Sequence, residues 1–261
     1  MHNALSIAKT GMAAQDAKMT AISNNLANVN TVGFKQDTVV FADLFYSIDK
    51  NAGTETADLN QHPTGIQLGN GVRVAGTQKI FTQGNINTTE QQYDLAINGD
   101  GFLQVTGGDG DILYTRNGQL QVNADGVLVT NQGFAIEPEI TIPDNATKVS
   151  ISQDGIVQAS IAGQTDPEEL GQITLAKFMN PSGLRPLGDN MLGATDASGD
   201  AIELVPGQEG VGIIQQGALE GSNVQIVSQM VDMIQTQRGY EMNAKIMSAS
   251  DEMLQYIAQQ S

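Results

Sequence analysis

Apolar residues recur at alternating three- and four-residue intervals near both ends of the chain. The N-terminal row, which has one polar member, comprises Leu5, Ala8, Met12, Gln15, Met19, Ile22, Leu26 and Val29. This spacing places the row along one side of an α-helix and is typical of a coiled-coil seam. We therefore predict an N-terminal helix that ends in the Asn-rich stretch before Gly33.

A second and longer helix is predicted from about residue 224 to about residue 257, with a length of about 50 Å at 1.5 Å per residue. Its row comprises Val227, Val231, Ile234, Arg238, Met242, Ile246, Ala249, Met253 and Tyr256. A further apolar row of Ile226, Met230 and Met233 lies beside it. The N-terminal helix can cover one row, so either partner molecules or the middle of the chain must cover the other.

Asn-Gly and Asp-Gly dipeptides separate short β-branched runs in the middle of the chain. They begin at Asn98, Asp100, Asp109, Asn117, Asp125 and Asp154. Glycine supplies the positive φ angles that tight hairpin turns need, so an antiparallel β domain is expected. Residues 47–65 have little apolar content and several turn-forming residues, which predicts either an extended loop or a long hairpin.

Together these patterns predict an α+β chain. The N- and C-terminal helices are expected to form a coiled-coil layer, with an antiparallel β-rich domain between them. The predicted divisions are residues 1–34 for the first helix, 35–70 for a linker that includes 47–65, 71–219 for the β-rich domain and 220–261 for the second helix.

The charge balance limits the possible partners. The chain has 29 acidic and 12 basic residues and a formal net charge of −17, so it should repel nucleic acid. No apolar run is long enough for membrane insertion, and the first residues lack the features of a cleavable secretory signal. With no Cys in the chain, thiolate chemistry is excluded.

No catalytic, cofactor-binding or metal-binding candidate emerges from the sequence. Phosphate-loop, zinc-hydrolase, nucleophile-elbow and dinucleotide motifs are missing. His2 and His62 are interpreted as solvated, and GGDGD at residues 107–111 as a hairpin turn, since it lacks the later bidentate Glu of a calcium loop. We therefore expect a protein that is not an enzyme and that uses no cofactor.

Three segments resemble the bacterial flagellar axial proteins, the family of rod and hook subunits. They are NNLANVNTVGFK at 24–35, the β segments DLAINGDGFLQV from Asp94 and YTRNGQLQV from Tyr114, and the C-terminal segment from Gly217. The residues that match the family motifs at the two ends are Asn24, Asn25, Ala27, Asn28, Thr31, Gly33, Phe34, Lys35, Ser222, Asn223, Gln237, Arg238, Tyr240 and Glu241. The usual TRAG or TRDG is here TRNG, and the usual QRAYE is QRGYE.

The resemblance implies a structural subunit that assembles into a helical tube, and the segment from Pro63 is most similar to distal-rod members. Implied partners are further copies of the chain, other rod proteins, the hook protein, the P-ring and L-ring proteins and the flagellar type III export apparatus. The implied location is the basal body, where the rod crosses the periplasm to the outer membrane after export without a cleaved signal peptide. A proximal-rod or hook-type subunit is the alternative within the family; a peptidoglycan-cleaving enzyme and a monomeric adhesin are the alternatives outside it.

Assembly is expected to use the apolar rows of both helices. The candidate interface residues are Leu5, Met12, Met19, Ile22, Leu26, Val227, Met230, Val231, Ile234, Ile246 and Met253. Gly239 interrupts the second helix, where Gly costs about 1 kcal/mol relative to Ala. One hypothesis is that it admits a neighbouring subunit's backbone or permits a bend around Arg238; the alternative is drift from the Ala usual in the family.

Overall fold

The computed structural model describes residues 2–50, 55–57, 60–61, 65–108, 110–162 and 166–260. The predictions of a solvated side chain at His62 and of a hairpin turn that includes Asp109 concern residues outside these ranges. The chain divides into two compact units. The helical unit comprises Met1–Leu26, Asp37–Gln78 and Ile226–Ser261, and the β unit comprises Ala27–Gln36 and Lys79–Gln225. This division differs from the predicted one, because residues 27–36 join the β unit and most of the predicted linker joins the helices.

The predicted α+β composition is confirmed, with one helix at each end of a strand-rich middle. Except for the end residues Ala27 and Lys79, which belong to the β unit, the helical unit contains α1 (His2–Ala27), β1 (Asp37–Asp43), β2 (Tyr46–Lys50), β3 (Glu55–Ala57), β4 (Asn60–Gln61), β5 (Ile66–Gly69), β6 (Val72–Lys79) and α2 (Ile226–Gln260). Strand β1 pairs with β6, β2 pairs antiparallel with β5, and β3 pairs antiparallel with β4. The described part of residues 47–65 therefore consists largely of paired strands. Within the described ranges, neither helix combines the length and apolar composition needed to cross a bilayer.

Helices α1 and α2 contact each other in antiparallel orientation. A methyl group built on Gly11 would lie 2.9 Å from Nδ2 of Asn243, and one built on Gly239 would lie 3.2 Å from Nε2 of Gln15. Farther along, Asn25 Nδ2 donates a hydrogen bond of 3.2 Å to Gln229 Oε1. As the position on α1 rises from 11 to 15 to 25, its partner on α2 falls from 243 to 239 to 229, so the contacts keep one register.

Within its described residues, the β unit contains sixteen strands in several sheets. They are β7 (Ile86–Thr88), β8 (Leu95–Asn98), β9 (Phe102–Thr106), β10 (Ile112–Thr115), β11 (Leu120–Val122), β12 (Leu128–Thr130), β13 (Ala135–Glu137), β14 (Ala146–Ile151), β15 (Ile156–Ile161), β16 (Glu168–Gln172), β17 (Leu175–Lys177), β18 (Arg185–Gly188), β19 (Met191–Gly193), β20 (Ile202–Leu204), β21 (Ile213–Gln216) and β22 (Ala218–Glu220). The largest sheet has the order β11-β12-β13-β9-β10-β19-β18, with β17 also pairing with β9 and β20. Smaller sheets are β14-β15-β16, β8-β21 and β7-β22.

Alternation along β9 divides the core of the β unit into two clusters. Leu103 and Val105 point into a large aliphatic cluster, whereas Phe102 belongs to a smaller aromatic one. In the aromatic cluster, Phe178 packs edge-on against Phe102 and Tyr114, with ring centroids 5.8 and 4.7 Å apart. The strand is therefore buried on both faces, which fixes its register.

The Gly dipeptides mark turns, but not every turn joins two paired strands. Gly126 and Gly155, each with a φ of 81°, connect the antiparallel pairs β11-β12 and β14-β15. By contrast, the glycines at 99 and 101 lie between β8 and β9, and β8 pairs with the distant β21. Positive φ lets the chain turn, whereas the buried apolar partner decides which strand pairs with which.

Candidate functional site

Three charged side chains from distant parts of the sequence meet inside the β unit. Glu220 Oε1 accepts hydrogen bonds from Lys35 Nζ at 2.6 Å and from the backbone N–H of Gly84 at 2.9 Å. Its Oε2 accepts from Arg116 Nη1 at 3.3 Å. The side chain of Glu220 is 0% exposed and those of Lys35 and Arg116 are 3% exposed. We call these three residues the ion cluster.

The cluster holds two cations against one anion. Burial lowers the pKa of Lys35 from its ordinary 10.5, and the carboxylate of Glu220 opposes that shift. Burial likewise lowers the pKa of Arg116, again opposed by Glu220. The guanidinium of Arg116 lies 5.3 Å from the ring centroid of Phe102, and its Nε is buried without a hydrogen-bond partner. Glu220 is therefore the carboxylate that both buried cations contact, and the charge of Asp100 nearby also favours their protonated forms.

Gly33 brings the segment after α1 against Arg116. Its φ is 70°, and a methyl group at this position would lie 2.7 Å from the carbonyl carbon of Arg116. The backbone N–H of Gly33 donates to the carbonyl of Glu220 at 2.8 Å. Only glycine permits both the left-handed conformation and this close approach.

Asn223 fixes the same segment from the other side. Its Oδ1 accepts from the backbone N–H of Gln36 at 2.8 Å, and its Nδ2 donates to the carbonyl of Ile80 at 2.8 Å and to Thr82 Oγ1 at 3.0 Å. Next to it, Ser222 Oγ accepts from the N–H of Val224 at 3.3 Å. The segments that enter and leave the β unit are thus tied together by side chains.

At the end of α1, motif residues hold the start of β1 within the helical unit. Asn25 Oδ1 accepts from the N–H of Asp37 at 2.7 Å, and Asn25 Nδ2 donates to the Asp37 carbonyl at 2.8 Å. Asn24 Nδ2 donates to the Asp37 carboxylate at 3.0 Å. In the β unit, Thr31 Oγ1 donates to Asn28 Oδ1 at 3.2 Å. Ala27 is the last residue of α1.

The other motif residues lie elsewhere. Phe34 is buried, with Lys79 Nζ 5.1 Å from its ring centroid. On α2 the motif residues Gln237, Arg238, Tyr240 and Glu241 are exposed and belong to the helical unit, whereas Lys35 and Asn223 belong to the β unit. The structure therefore brings Gly33, Lys35 and Asn223 to the ion cluster but leaves the α2 motif on an open helix surface.

Helix α2 turns polar and small residues, not its apolar row, toward α1. Besides Gln229, Gly239 and Asn243, which contact α1, the buried residues include Thr236 and Ser250. Their hydroxyls donate to the carbonyls of the residues four positions earlier, at 2.7 and 2.8 Å. The apolar row predicted for α2 lies on another side of the helix. The hydroxyls of Thr236 and Ser250 and the amide of Gln229 are hydrogen-bonded, so these residues can be buried without leaving polar groups unpaired.

The candidate interface residues on α2 are all exposed. Val227 is 77% exposed, and the other five, which are 49–52% exposed, are Met230, Val231, Ile234, Ile246 and Met253. On α1, Ile22 is buried, and the half-buried candidates are Leu5, Met12, Met19 and Leu26. Their role in assembly stays a prediction.

Glu220 and Arg116 were not singled out as site residues from the sequence. A usable signal was present, since GFK, TRNG and LEG each carry one charged residue within a resemblance segment. What the sequence lacked was any sign that the three segments meet.

Three segments of the chain match protein families. Residues 5–35 match the family described as flagella basal body rod protein, and residues 96–159 match the flagellar hook protein FlgE/F/G D1 domain. Residues 215–260 match the flagellar basal body rod FlgEFG protein C-terminal family. These segments contain Lys35, Arg116 and Glu220 respectively, so each contributes one member of the ion cluster. The matches define a structural protein of the flagellar axis and not an enzyme.

Relatives that match over nearly the whole chain narrow this class. A flagellar basal-body rod protein FlgG from Buchnera aphidicola (subspecies Acyrthosiphon pisum) is 50% identical, with 97% of each chain covered. FlgG from Caulobacter vibrioides is 44% identical, with 98% of each chain covered. FlgF from the same bacterium is 32% identical, with 97% of this chain and 95% of that protein covered. The chain belongs to the FlgG family of flagellar basal-body rod proteins and is a subunit of the distal rod.

Proposed function

We propose that copies of this chain polymerise through their terminal helices into a tube that transmits torque from the motor to the hook. The observation that carries the proposal is the row of exposed apolar side chains along α2, from Val227 to Met253. Monomeric soluble proteins rarely expose such continuous apolar surface unless it binds a partner. Family membership supplies the setting, since rod subunits assemble with other rod and hook components.

The energy available from this row is considerable. Full burial of a Val, Ile or Met side chain contributes roughly 1.5–3 kcal/mol, so burying the exposed half of six of them contributes about 6 kcal/mol before ordering costs are subtracted. Because the contacts described between α1 and α2 are largely polar, they contribute little hydrophobic free energy. Contacts with neighbouring copies would therefore stabilise both helices, and the coiled-coil layer would be completed between subunits.

The remaining partners follow from the same setting. The rod would contact other rod proteins and the hook protein at its two ends, and the P-ring and L-ring proteins along its side as it crosses the periplasm to the outer membrane. Subunits would reach this site through the flagellar type III export apparatus. The β unit, with its own aliphatic and aromatic core, would supply the folded outer layer.

Polar substitution on α2 tests polymerisation. A chain carrying both Met230→Gln and Ile234→Gln should keep the helical circular dichroism of the monomer, because Gln is a good helix former and both side chains are exposed. Met179→Gln is the matched control, since Met179 is 93% exposed but lies in the β unit.

Two measurements distinguish the outcomes. Negative-stain microscopy of concentrated wild-type protein and of the control should show straight tubes, and the double variant should show none. In a strain that lacks its own copy of the gene, the control should restore swimming and the double variant should not. Normal tubes and normal swimming with the double variant would show that this row does not form the assembly interface.

A further inference from the structure

Most of the negative charge of the chain belongs to the β unit. This unit contains 19 of the 29 acidic residues and 6 of the 12 basic residues, so its formal charge is −13. The helical unit, with 10 acidic and 6 basic residues, carries the remaining −4. The helices themselves are almost neutral, with side-chain charges of +1 for α1 and −2 for α2. The charge and the exposed apolar row of α2 therefore lie in different units.

Burial of cations makes the surface of the β unit still more acidic than its formal charge indicates. Among the described residues of this unit, 15 acidic side chains are exposed, but only two basic ones, Lys148 and Arg185. Lys35 and Arg116 are buried in the ion cluster. The half-buried Lys177 donates to the backbone carbonyls of residues 209 and 210, at 3.1 and 3.3 Å. Carboxylates therefore dominate the charged groups that a neighbouring copy would meet.

The repulsion between two such surfaces depends on the ionic strength. Its range is about 30 Å at an ionic strength of about 0.01 M and about 8 Å at about 0.15 M. A compact unit of this size has a radius of gyration of roughly 15 Å. At low ionic strength, the β units of two copies would therefore repel each other whichever of their sides face, whereas at about 0.15 M only groups close to contact would do so.

The exposed apolar row of α2 acts in the opposite direction. Burial of its side chains favours association, but this attraction takes effect only when the surfaces meet and water is removed from them. A high net charge keeps proteins soluble and monomeric. Two copies can therefore bury their apolar rows only where counter-ions weaken the repulsion between their β units.

We propose that the acidic surface of the β unit opposes association between copies of the chain, so that counter-ions in the medium control polymerisation. The proposal rests on the polymerisation proposed above. It assigns the two units opposite roles, since the helices attract neighbouring copies and the β units hold them apart. A chain with an exposed apolar row would thus remain monomeric until its charge is screened.

The protein concentration that remains in solution after tubes are removed by sedimentation tests this proposal on the full-length chain. This concentration should be at least about tenfold lower at an ionic strength of about 0.15 M than at about 0.01 M, because like charges that face each other cost several kcal/mol unless they are screened. Sodium chloride and sodium sulfate should act equally at equal ionic strength. Salting-out of apolar surface would instead make sulfate clearly stronger.

Charge variants separate repulsion from a specific contact. Glu139→Gln, Glu168→Gln and Glu169→Gln together remove three exposed carboxylates of the β unit, so the soluble concentration at about 0.01 M should fall severalfold. Lys148→Gln with Arg185→Gln removes the two exposed cations and should raise it. Both differences should disappear at about 1 M, where the range of the repulsion is about 3 Å. Loss of a specific contact would raise the soluble concentration in either variant at every ionic strength.

Static light scattering of dilute monomer provides a measurement that does not depend on tubes. The second virial coefficient should be positive at low ionic strength and should fall as sodium chloride is added. A coefficient that does not respond to salt would overturn the proposal. Equal soluble concentrations at the two ionic strengths would overturn it and leave the rod function intact, whereas failure of the wild-type chain to form tubes at any ionic strength would count against the rod function itself and, with it, the proposal.

Discussion

Replacing Glu220 by Gln tests whether one carboxylate holds the β unit together. The substitution preserves shape, so Oε1 can still accept from Lys35 Nζ and from the N–H of Gly84. The new amide group, however, replaces Oε2 and faces Arg116 Nη1, which is also a donor. The variant thus loses one hydrogen bond, and the two buried cations lose the carboxylate that both of them contact.

The expected loss is a large part of the total stability. Removing one partner from a buried ion pair costs about 3–5 kcal/mol, against a typical free energy of unfolding of roughly 5–15 kcal/mol. With a urea dependence of about 2 kcal/mol per molar, the unfolding midpoint should fall by roughly 2 M. Glu168→Gln is the matched control, because Glu168 is an exposed carboxylate on β16.

Urea unfolding of dilute full-length monomer, followed by circular dichroism, gives the measurement. The control should unfold within about 0.5 kcal/mol of wild type, as surface substitutions usually do. If Glu220→Gln is equally close to wild type, Lys35 and Arg116 do not depend on this carboxylate and the role of the ion cluster is refuted.

The pH dependence provides an independent check. Because burial lowers the pKa of Lys35 below 10.5, the folded protein binds fewer protons than the unfolded chain between the lowered value and 10.5, and stability rises with pH across that interval. In Glu220→Gln, the carboxylate that opposes the lowering is gone, so the interval extends to lower pH. The stability difference between variant and wild type should therefore shrink as the pH is raised from about 7 to about 10, and a constant difference would contradict this account.

Three further substitutions test particular packing arguments. Gln104 is 1% exposed and neither polar atom of its amide has a hydrogen-bond partner, so Gln104→Met should raise the free energy of unfolding by about 1–3 kcal/mol, and a fall in the urea midpoint would argue against this. Gly239→Ala should raise the free energy of unfolding by up to about 1 kcal/mol, because Ala favours the helix and only the flexible end of Gln15 must shift. Gly84→Ala is the contrasting case: the added methyl would collide with the backbone carbonyl of Gly221, so a loss of about 1–3 kcal/mol is expected, and equal effects of the two glycine substitutions would refute the distinction.

The contact of Gly239 also bears on its proposed role. The sequence suggested that the missing side chain admits a neighbouring subunit's backbone or a bend around Arg238. In the structure this position lies against Gln15 of the same chain, so the close approach is between α1 and α2. The family's usual Ala would fit after a small movement of Gln15, which is why the substitution is expected to be tolerated.

Several features followed from local sequence alone. The apolar spacing at the two ends predicted both helices, and the Asp-Gly dipeptides at 125 and 154 predicted two hairpins that the structure contains. Such features depend on interactions among residues a few positions apart, and for this reason their signal is present in a short stretch of sequence. The family resemblance depended in the same way on short motifs at both ends and in the centre.

Tertiary structure alone decided which surfaces face each other. The spacing on α2 correctly predicted a row of apolar residues, but it did not show which side of the helix faces α1. Thr236, Gly239 and Asn243 provide the polar and closely fitting face on that side. Likewise, Lys35, Arg116 and Glu220 are separated by 81 and 104 positions and carry no local sign of pairing. Once these side chains are buried, each charge needs an opposite charge nearby, because it has lost its contact with water. The sequence determined the helices, turns and family, and the packed chain determined the ion cluster and the open face of α2.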